Sequence, residues 1–345
     1  MLTLGIDIGK RELYVCLQES LEGNRRIVAQ RGPISNNAAG LRKLTDWVGK
    51  FTGHQPVQVV MEATNVYWEN AAWHFHQLNW SVSVVNPAQV KYFARSVLRR
   101  GKTDAMDAEI IASFGSVMAL TLWRPPSETL AVLKQLTRER ESVLRTWLQE
   151  NNHLIALRDA HQVDAKVITF AQERLALLER QVNDLEQAIK ELVQQHTEVQ
   201  QQLKLLRTIP GIALISAATI LAETDGFARL QTGQEISAAA GIAPSPRQSG
   251  LRAGRSRISK TGNARLRRMA YLCALGASKS HSRLGSYYRQ LITSGKPPKV
   301  ALIAVGRKLL RIALAVVKSG EPYQDDFVSA HGGAGPTPLA EGQGT

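Results

Sequence analysis

The sequence is poor in cysteine and has no long uninterrupted apolar run. Cys16 and Cys273 are the two cysteines in its 345 residues, and they lie far apart. This excludes a disulfide framework or a cysteine-based zinc site and suits a reducing compartment. The N-terminus lacks the basic and apolar regions of a signal peptide. The most apolar late stretch, 300–317, contains three basic residues, which rule out a membrane span.

Acidic residues are absent from one long part of the chain. Residues 236–320, the basic segment, contain 17 Lys and Arg and no Asp or Glu, whereas residues 1–235 contain 26 basic and 25 acidic residues. The formal net charge of +14 therefore originates in the basic segment. Because ordinary surfaces mix both signs of charge, this segment is predicted to bind the phosphate backbone of nucleic acid.

The first third of the chain alternates strand-like and helix-like patterns. Strand patterns lie at 2–8, 12–18, 26–30, 57–61 and 82–85, and helix patterns at 41–51, 67–78 and 103–120. Thr103 is a suitable N-cap for the last of these helices. Three leading strands followed by alternating helices and strands predict an α/β sheet with an antiparallel start.

The middle of the chain carries a heptad stripe. Nine positions at alternating spacings of four and three residues run from Leu178 to Leu206, and eight of them are apolar. This pattern predicts a coiled coil with a partner helix in the same chain or in another protomer. Residues 132–157 also show a helical apolar stripe, so an intrachain antiparallel hairpin and dimerisation both stay open. His196 is interpreted as a tolerated residue of the seam.

A possible helix-hairpin-helix follows the stripe. Residues 206–213 contain Pro210 and Gly211 and lead into a helix pattern at 213–223. Such a turn presents backbone N–H groups to a phosphate. An ordinary corner between two helices is the alternative.

Four acidic residues are candidates for a metal site. Asp7 lies in the first apolar strand, where an acid is costly to bury unless it is paired or binds a cation. Glu62 follows the strand at 57–61, at a strand end that can open into a site. Asp104 and Asp107 are three residues apart on one helical face, so both can point at one place. Their oxygens suit two Mg²⁺ about 4 Å apart that clamp the attacking and leaving oxygens of a phosphoryl transfer.

The same acids are also compatible with a nucleotide site or with a structural role. The glycines that flank Asp7 could belong to the phosphate-facing hairpin of an actin-like or sugar-kinase ATPase, and Asp104 could be stabilised by the helix dipole. The order of the four acids along the strands and the helix is that of ribonuclease-H-like nucleases.

Ser249 is one candidate nucleophile of the basic segment. It lies in a turn-rich stretch that should be exposed. Its hydroxyl either contacts a phosphate or attacks a phosphodiester while guanidinium groups stabilise the charge of the transition state. The residues alone do not distinguish it from Ser256 and Ser259. The basic residues around it are Arg247, Arg252, Arg255, Arg257 and Lys260.

Taken together, these motifs resemble the DEDD transposases of insertion-sequence family 110, described as bridge-RNA-guided recombinases. The resemblance spans roughly residues 2–325. It is carried by Asp7, Glu62, the stretch KTDAMDA at 102–108, TIPGI at 208–212, AAGIAP at 239–244, QSG at 248–250, ISKTGN at 258–263, and residues 265–271.

The resemblance implies an activity and a set of partners. It implies a transposase that cuts and rejoins DNA, with Asp7, Glu62, Asp104 and Asp107 binding Mg²⁺ and Ser249 forming a covalent link to DNA. The partners would be donor and target DNA, a structured noncoding guide RNA, and further copies of the chain in a dimer or tetramer. We expect a protein of the bacterial cytoplasm that associates with the nucleoid when it acts, without a membrane partner.

The expected fold class is α/β plus α. A RuvC-like, ribonuclease-H-type metal-binding domain is expected at 1–125, a helical coiled-coil segment at 126–205, a mainly helical basic domain at 206–327 and a disordered tail at 328–345. The candidate nucleic-acid contacts are Arg247, Arg252, Arg255, Arg257, Lys260, Arg265, Arg268 and Lys102.

Two other functions stay open besides the ATPase, which the basic segment disfavours. One is a purely hydrolytic RuvC-like nuclease, such as a junction resolvase, which would not need Ser249. The other is a non-catalytic protein that organises DNA or RNA, which would not need Asp7.

Overall fold

The computed structural model describes residues 1–21, 24–98, 103–245, 248–249, 252–253 and 257–325. The chain divides into two compact units, Met1–Pro125 and Pro126–Thr345. The division into three functional domains with a tail stays a prediction, and the tail at 328–345 lies outside the described residues. None of the helices in the described ranges is long and apolar enough to cross a bilayer.

The first unit is built on a five-stranded mixed sheet in the order β3-β2-β1-β4-β5. Strand β1 pairs antiparallel with β2 and parallel with β4; β2 and β3 are antiparallel, and β4 and β5 are parallel. The predicted α/β sheet with an antiparallel start is confirmed. The strands are β1 (Leu2–Ile8), β2 (Glu12–Leu21), β3 (Asn24–Ser35), β4 (Gln58–Glu62) and β5 (Ser81–Val85).

Four described helices accompany this sheet. The third, at Pro87–Ser96, was not predicted. The helices are α1 (Ala38–Thr52), α2 (Glu69–Gln77), α3 (Pro87–Ser96) and α4 (Asp104–Val117). The side chain of Asn86 accepts a hydrogen bond from the N–H of Ala88, and Pro87 occupies the first turn of α3. The Asn-Pro pair therefore begins a helix as well as ending a strand.

The second unit is mainly helical, with four two-residue strands among its described residues. A continuous apolar core joins its helices from α5 to α12. The helices are α5 (Glu128–Asp159), α6 (Ala165–Gln195), α7 (Thr197–Arg207), α8 (Leu214–Glu223), α9 (Gly233–Ala239), α10 (Ala264–Ser278), α11 (Arg283–Thr293) and α12 (Pro298–Ser319). The strands are β6 (Pro244–Ser245), β7 (Gln248–Ser249), β8 (Arg252–Ala253) and β9 (Arg257–Ile258).

Helices α5 and α6 form an antiparallel hairpin within the chain. Arg140 on α5 pairs with Glu186 on α6 at 2.5 Å, and farther along α5 Glu150 pairs with Arg174. Since positions later in α5 meet positions earlier in α6, the two helices run in opposite directions. The intrachain pairing, one of the two predicted arrangements, is therefore present.

His196 lies at a break between two helices, and its Nδ1 is 3.2 Å from Oγ1 of Thr129 on α5. Helix α6 ends at Gln195 and α7 begins at Thr197, and His196 between them is exposed with an extended backbone (φ −124°, ψ 98°). The heptad stripe is therefore interrupted there. A one-residue break preserves the spacing of the apolar residues, so the spacing alone does not reveal it.

The predicted pair of helices around Pro210 and Gly211 is present as α7 and α8. Gly211 has φ +90°, and a Cβ there would lie 2.7 Å from the backbone nitrogen of Ala277 on α10. The turn therefore packs closely against a helix of its own unit. This contact favours the packed corner over a turn that is free to present its N–H groups to a phosphate.

Candidate metal centre and serine hairpin

Small residues allow helix α4 to lie directly on strand β1. Alternate residues of a strand share one face, and on β1 that face carries Thr3, Gly5 and Asp7. A Cβ at Gly5 would lie 2.8 Å from the Cα of Ala112, and one at Gly115 would lie 3.0 Å from Cγ2 of Thr3. Because Gly115 lies over Thr3 and Ala112 over Gly5, the first turn of α4 falls over Asp7.

The start and the position of α4 are fixed by side-chain hydrogen bonds. The hydroxyl of Thr103 accepts from the N–H of Met106 at 3.3 Å, so α4 begins at Asp104, as the N-cap prediction requires. Gln18 on β2 is buried and donates to Oγ of Ser113 at 3.0 Å, while that hydroxyl donates back to Gln18 at 3.1 Å. The helix is thereby held in register with the sheet.

The first turn of α4 and the end of β1 bring three carboxylates together. One oxygen each from Asp7, Asp104 and Asp107 lies within 4.8 Å of the others. Asp7 and Asp107 are half-buried, and Asp104 is exposed. Carboxylate oxygens at this separation are suitable ligands for a hard divalent cation such as Mg²⁺.

The electrostatics of the cluster also suit a cation. Burial raises the pKa of Asp7 from 3.8 to about 6, and the negative charges of Asp107, Asp104 and Glu62 contribute to this rise. A hydrogen bond from the backbone of Ile8 opposes this shift. The ionised form of Asp7 is therefore less favourable than that of an ordinary aspartate, and a bound cation would relieve the repulsion.

Glu62 lies beside the cluster. The parallel register of β1 and β4 places Ile6 opposite Met61, so the next residues, Asp7 and Glu62, leave the two strands side by side. Among the described residues, the group of mutually close carboxylates consists of the three aspartates without Glu62. The structure thus brings three of the four predicted acids together and places the fourth where its charge acts on Asp7.

A cleft of about 630 Å³ opens next to these acids. Two basic residues of the β1–β2 turn, Lys10 and Arg11, line it, and neither was predicted as a site residue. Their position in a turn directly after the acid-bearing strand is the signal that could have indicated them. Positive charge beside a carboxylate cluster suits a phosphate-bearing ligand. The cleft is lined by Asp7, Ile8, Gly9, Lys10, Arg11, Glu12, Tyr14 and Asp104.

Ser249 lies in a short hairpin of the second unit. β6 pairs with β9 and β7 pairs with β8, and we call these four strands the serine hairpin; Ser249 is opposite Arg252. The backbone of both residues is described and their side chains are not. Lys102, Arg247, Arg255 and Ser256 lie outside the described residues, whereas Arg257 and Lys260 are exposed.

Backbone hydrogen bonds close the neck of the serine hairpin. The N–H of Ser259 donates to the carbonyl of Ala243 at 3.1 Å, and the N–H of Asn263 donates to the carbonyl of Ala239 at 2.6 Å. The guanidinium of Arg267 donates to the carbonyls of Ala240 at 3.0 Å and Lys260 at 3.3 Å. The base of the hairpin is therefore fixed by its own backbone and by α10.

An ion pair with a buried carboxylate anchors this neck to α5 and α8. Glu223 accepts from Arg138 at 2.7 and 3.0 Å and from Nδ2 of Asn263 at 2.6 Å. Oδ1 of Asn263 in turn accepts from the N–H groups of Arg265 and Leu266 and caps α10. Asn263 belongs to one of the sequence motifs, but no role was predicted for it. Its place before an apolar helical run is an N-cap signal, whereas nothing local indicates its tie to Glu223.

The predicted contacts Arg265 and Arg268 lie on α10 and bind an acid in the free protein. Nε of Arg265 is 3.1 Å from Oε2 of Glu141, and Nη1 of Arg268 is 2.7 Å from Oε1. A phosphate that binds these arginines must therefore displace the carboxylate of Glu141 or bind next to it.

Comparison with known families accounts for most of the chain. The model of DEDD transposases of the IS110 type, described as "Transposase", matches residues 4–161. A second model, described as "Transposase IS116/IS110/IS902 family", matches residues 203–289. The chain belongs to the IS110 family of transposases. Asp7, Asp104 and Asp107 fall within the first match and Ser249 within the second.

Individual relatives of this IS110-family chain are distant but collinear with it. The "Pilin gene-inverting protein" of Moraxella bovis is 28% identical over 93% of this chain and 97% of the relative. The "Transposase for insertion sequence element IS1328" of Yersinia enterocolitica is 25% identical over 93% and 98% of the two chains. Among solved structures, Thermus thermophilus RuvC aligns with a TM-score of 0.28 at 14% identity, over 36% of this chain and all of RuvC.

Proposed function

We propose that this transposase cuts and rejoins DNA by phosphoryl transfer at a divalent-metal centre held by Asp7, Asp104 and Asp107, with Glu62 beside them. The observation that carries the proposal is the cluster of three carboxylates, whose mutual repulsion helps to raise the pKa of Asp7 to about 6. The order and directions of the five strands support a RuvC-like, ribonuclease-H-type fold for the first unit.

Mg²⁺ is the proposed cation, with two ions as the proposed number, and the carboxylate oxygens of the cluster support a hard divalent ion. When bound, Mg²⁺ would stabilise negative charge on the scissile phosphate. The carboxylates of Asp7, Asp104 and Asp107 would hold it, and the charge of Glu62 adds to the attraction. Lys10 and Arg11 in the adjacent cleft are placed to orient the phosphate backbone of the substrate.

Ser249 is proposed as the nucleophile. Its hydroxyl oxygen forms a bond to phosphorus, its proton is released, and one strand leaves with a free sugar hydroxyl. A sugar hydroxyl of the second strand then attacks the phosphoserine, which forms the new phosphodiester and regenerates the serine hydroxyl. The anchored neck of the serine hairpin and the exposed Arg257 and Lys260 support this role.

The partners are proposed from the basic segment and from the family. Donor and target DNA would bind the exposed basic residues, and a structured noncoding RNA would guide the choice of site. The action named for the Moraxella relatives, gene inversion, supports a reaction in which DNA is rearranged. Assembly into a dimer or tetramer belongs to the same proposal, as does action at the nucleoid.

Excision of the element from a plasmid, with its flanking DNA present to supply the RNA, tests this function. Ser249→Ala and Asp107→Asn should each abolish the recombinant junction, because one removes the nucleophile and the other a metal ligand. Ser256→Ala, a change at another serine of the basic segment, should retain it. Full excision by Ser249→Ala would contradict the serine mechanism. Strand cleavage without joining in that variant would instead indicate a hydrolytic nuclease.

A further inference from the structure

Three arginines share one carboxylate on the surface of the second unit. Glu141 on α5 lies 2.7 Å from Arg268, 3.1 Å from Arg265 and 3.5 Å from Arg145. The side chain of Glu141 is 20% exposed, whereas those of the arginines are 43–62% exposed. Three positive charges therefore converge on one negative charge at a place that water and ligands can reach.

The arrangement differs from the other ion pairs along α5. Arg140 lines the same groove between α5, α8 and α10, but Glu186 neutralises it one to one at 2.5 Å. Arg265 and Arg268 are three residues apart on α10, so their guanidinium groups lie on one face. Arg145 approaches Glu141 from the next turn of α5. Two helices thus surround one point with a surplus of positive charge.

Carboxylates and phosphates accept hydrogen bonds from guanidinium groups in the same forked geometry. We propose that this groove is a binding site for a phosphodiester group of nucleic acid, and that Glu141 occupies its place in the free protein. Nucleic acid as the ligand rests on the proposed function. The contribution of Arg145 and the competition by Glu141 go beyond it.

Glu141 has two effects in this site. It orders three flexible side chains before the ligand arrives, and it weakens binding because an arriving phosphate must displace it or lie beside it. Arg265 lies two residues after Asn263, which closes the neck of the serine hairpin. A strand held by these arginines therefore passes close to the base of that hairpin.

The test is the salt dependence of nucleic-acid binding by the full-length protein. Anisotropy titrations in EDTA with random-sequence duplex DNA and with an RNA hairpin exclude any contribution from cleavage. Glu141→Gln should steepen the slope of log K against log salt by about 0.9 for duplex DNA, which corresponds to about fivefold tighter binding at 0.15 M salt. Arg268→Gln should change slope and affinity by similar amounts in the opposite direction.

Glu150→Gln is the matched control. Glu150 is also on α5, is 19% exposed, pairs with Arg174, and its substitution raises the net charge by the same amount. The slope of log K against log salt should be the same for Glu150→Gln as for the unmodified protein. Tighter DNA binding by Glu141→Gln assigns a DNA phosphate to the groove. Tighter binding of the RNA hairpin alone assigns an RNA phosphate. No gain with either probe, or an equal gain in Glu150→Gln, overturns the proposal. Because these titrations need neither metal nor Ser249, their failure is distinct from a failure of the excision assay.

Discussion

Replacing Arg138 should destabilise the second unit more than replacing its partner Glu223. The side chain of Glu223 is 0% exposed and that of Arg138 is 37% exposed. Arg138→Leu leaves a carboxylate that water does not reach, which costs about 3–5 kcal/mol. Glu223→Gln leaves a guanidinium that water does reach and keeps an acceptor for Asn263, so we expect a cost of about 1–2 kcal/mol.

The two variants should also differ in their response to pH. In the native protein, burial pushes the pKa of Glu223 up, but hydrogen bonds from Arg138 and Asn263 and the charge of Arg138 bring it below its usual value. This carboxylate therefore stabilises the fold above its unfolded pKa, and the contribution is lost as the pH falls through the lower folded pKa. In Arg138→Leu burial dominates and the folded pKa rises. The loss of stability caused by Arg138→Leu should therefore become smaller as the pH is lowered.

Thermal melts followed by circular dichroism measure both effects. For a unit of this size, 1 kcal/mol corresponds to about 2–4 °C, so Arg138→Leu should lower Tm by about 6–20 °C and Glu223→Gln by about 2–8 °C. The pair Arg140–Glu186 is the control, because its side chains are 21% and 28% exposed. Either substitution there should cost less than about 1 kcal/mol. Two results would refute the reasoning: equal losses of stability in Arg138→Leu and Glu223→Gln, or a loss in Arg138→Leu that does not change with pH.

Further predictions concern the metal centre. Asp107→Asn should lower the pKa of Asp7 from about 6 toward 3.8, because a neighbouring negative charge is removed. An NMR titration of the carboxyl groups measures this pKa, and an unchanged value would argue against the cluster. Asp7→Asn should stabilise the metal-free protein at neutral pH by about 1–2 kcal/mol, discounted for solvent screening, while calorimetry shows loss of Mg²⁺ binding. Gly5→Ala should push α4 off β1, cost about 1–3 kcal/mol and weaken Mg²⁺ binding. Gly295→Ala meets no atom within 4 Å, and although its φ of +81° disfavours alanine, it should leave Mg²⁺ binding intact.

Local patterns were sufficient to predict the sheet and the paired helices. Alternating strand and helix signals give the antiparallel start of the sheet, and Thr103 gives the start of α4. The heptad spacing predicts two helices that pack together, but it does not detect the break at His196, because a one-residue turn keeps the spacing. Helix α3 is missed because Asn86-Pro87 signals both a strand end and a helix start.

The sequence indicates most residues of the candidate site, but not the contacts that bring them together. The spacing of Asp104 and Asp107 predicts that they point together, but their position over Asp7 depends on the contact of Gly5 with Ala112. The ion pairs of Glu141 with α10 and of Glu223 with Arg138 join residues far apart in sequence. Such pairs leave no local signal, since any acid can meet any base once the helices have packed.

Capture of the protein–DNA adduct tests the metal-dependent serine mechanism most directly. Labelled substrate DNA is incubated with the protein and the guide RNA, in Mg²⁺ or in EDTA, and resolved on a denaturing gel. We predict an adduct in Mg²⁺ alone, on the peptide that contains Ser249 by mass spectrometry, and none with Ser249→Ala or Asp107→Asn. Cleaved DNA with free ends and no adduct, or an adduct that persists in Ser249→Ala, would contradict the mechanism.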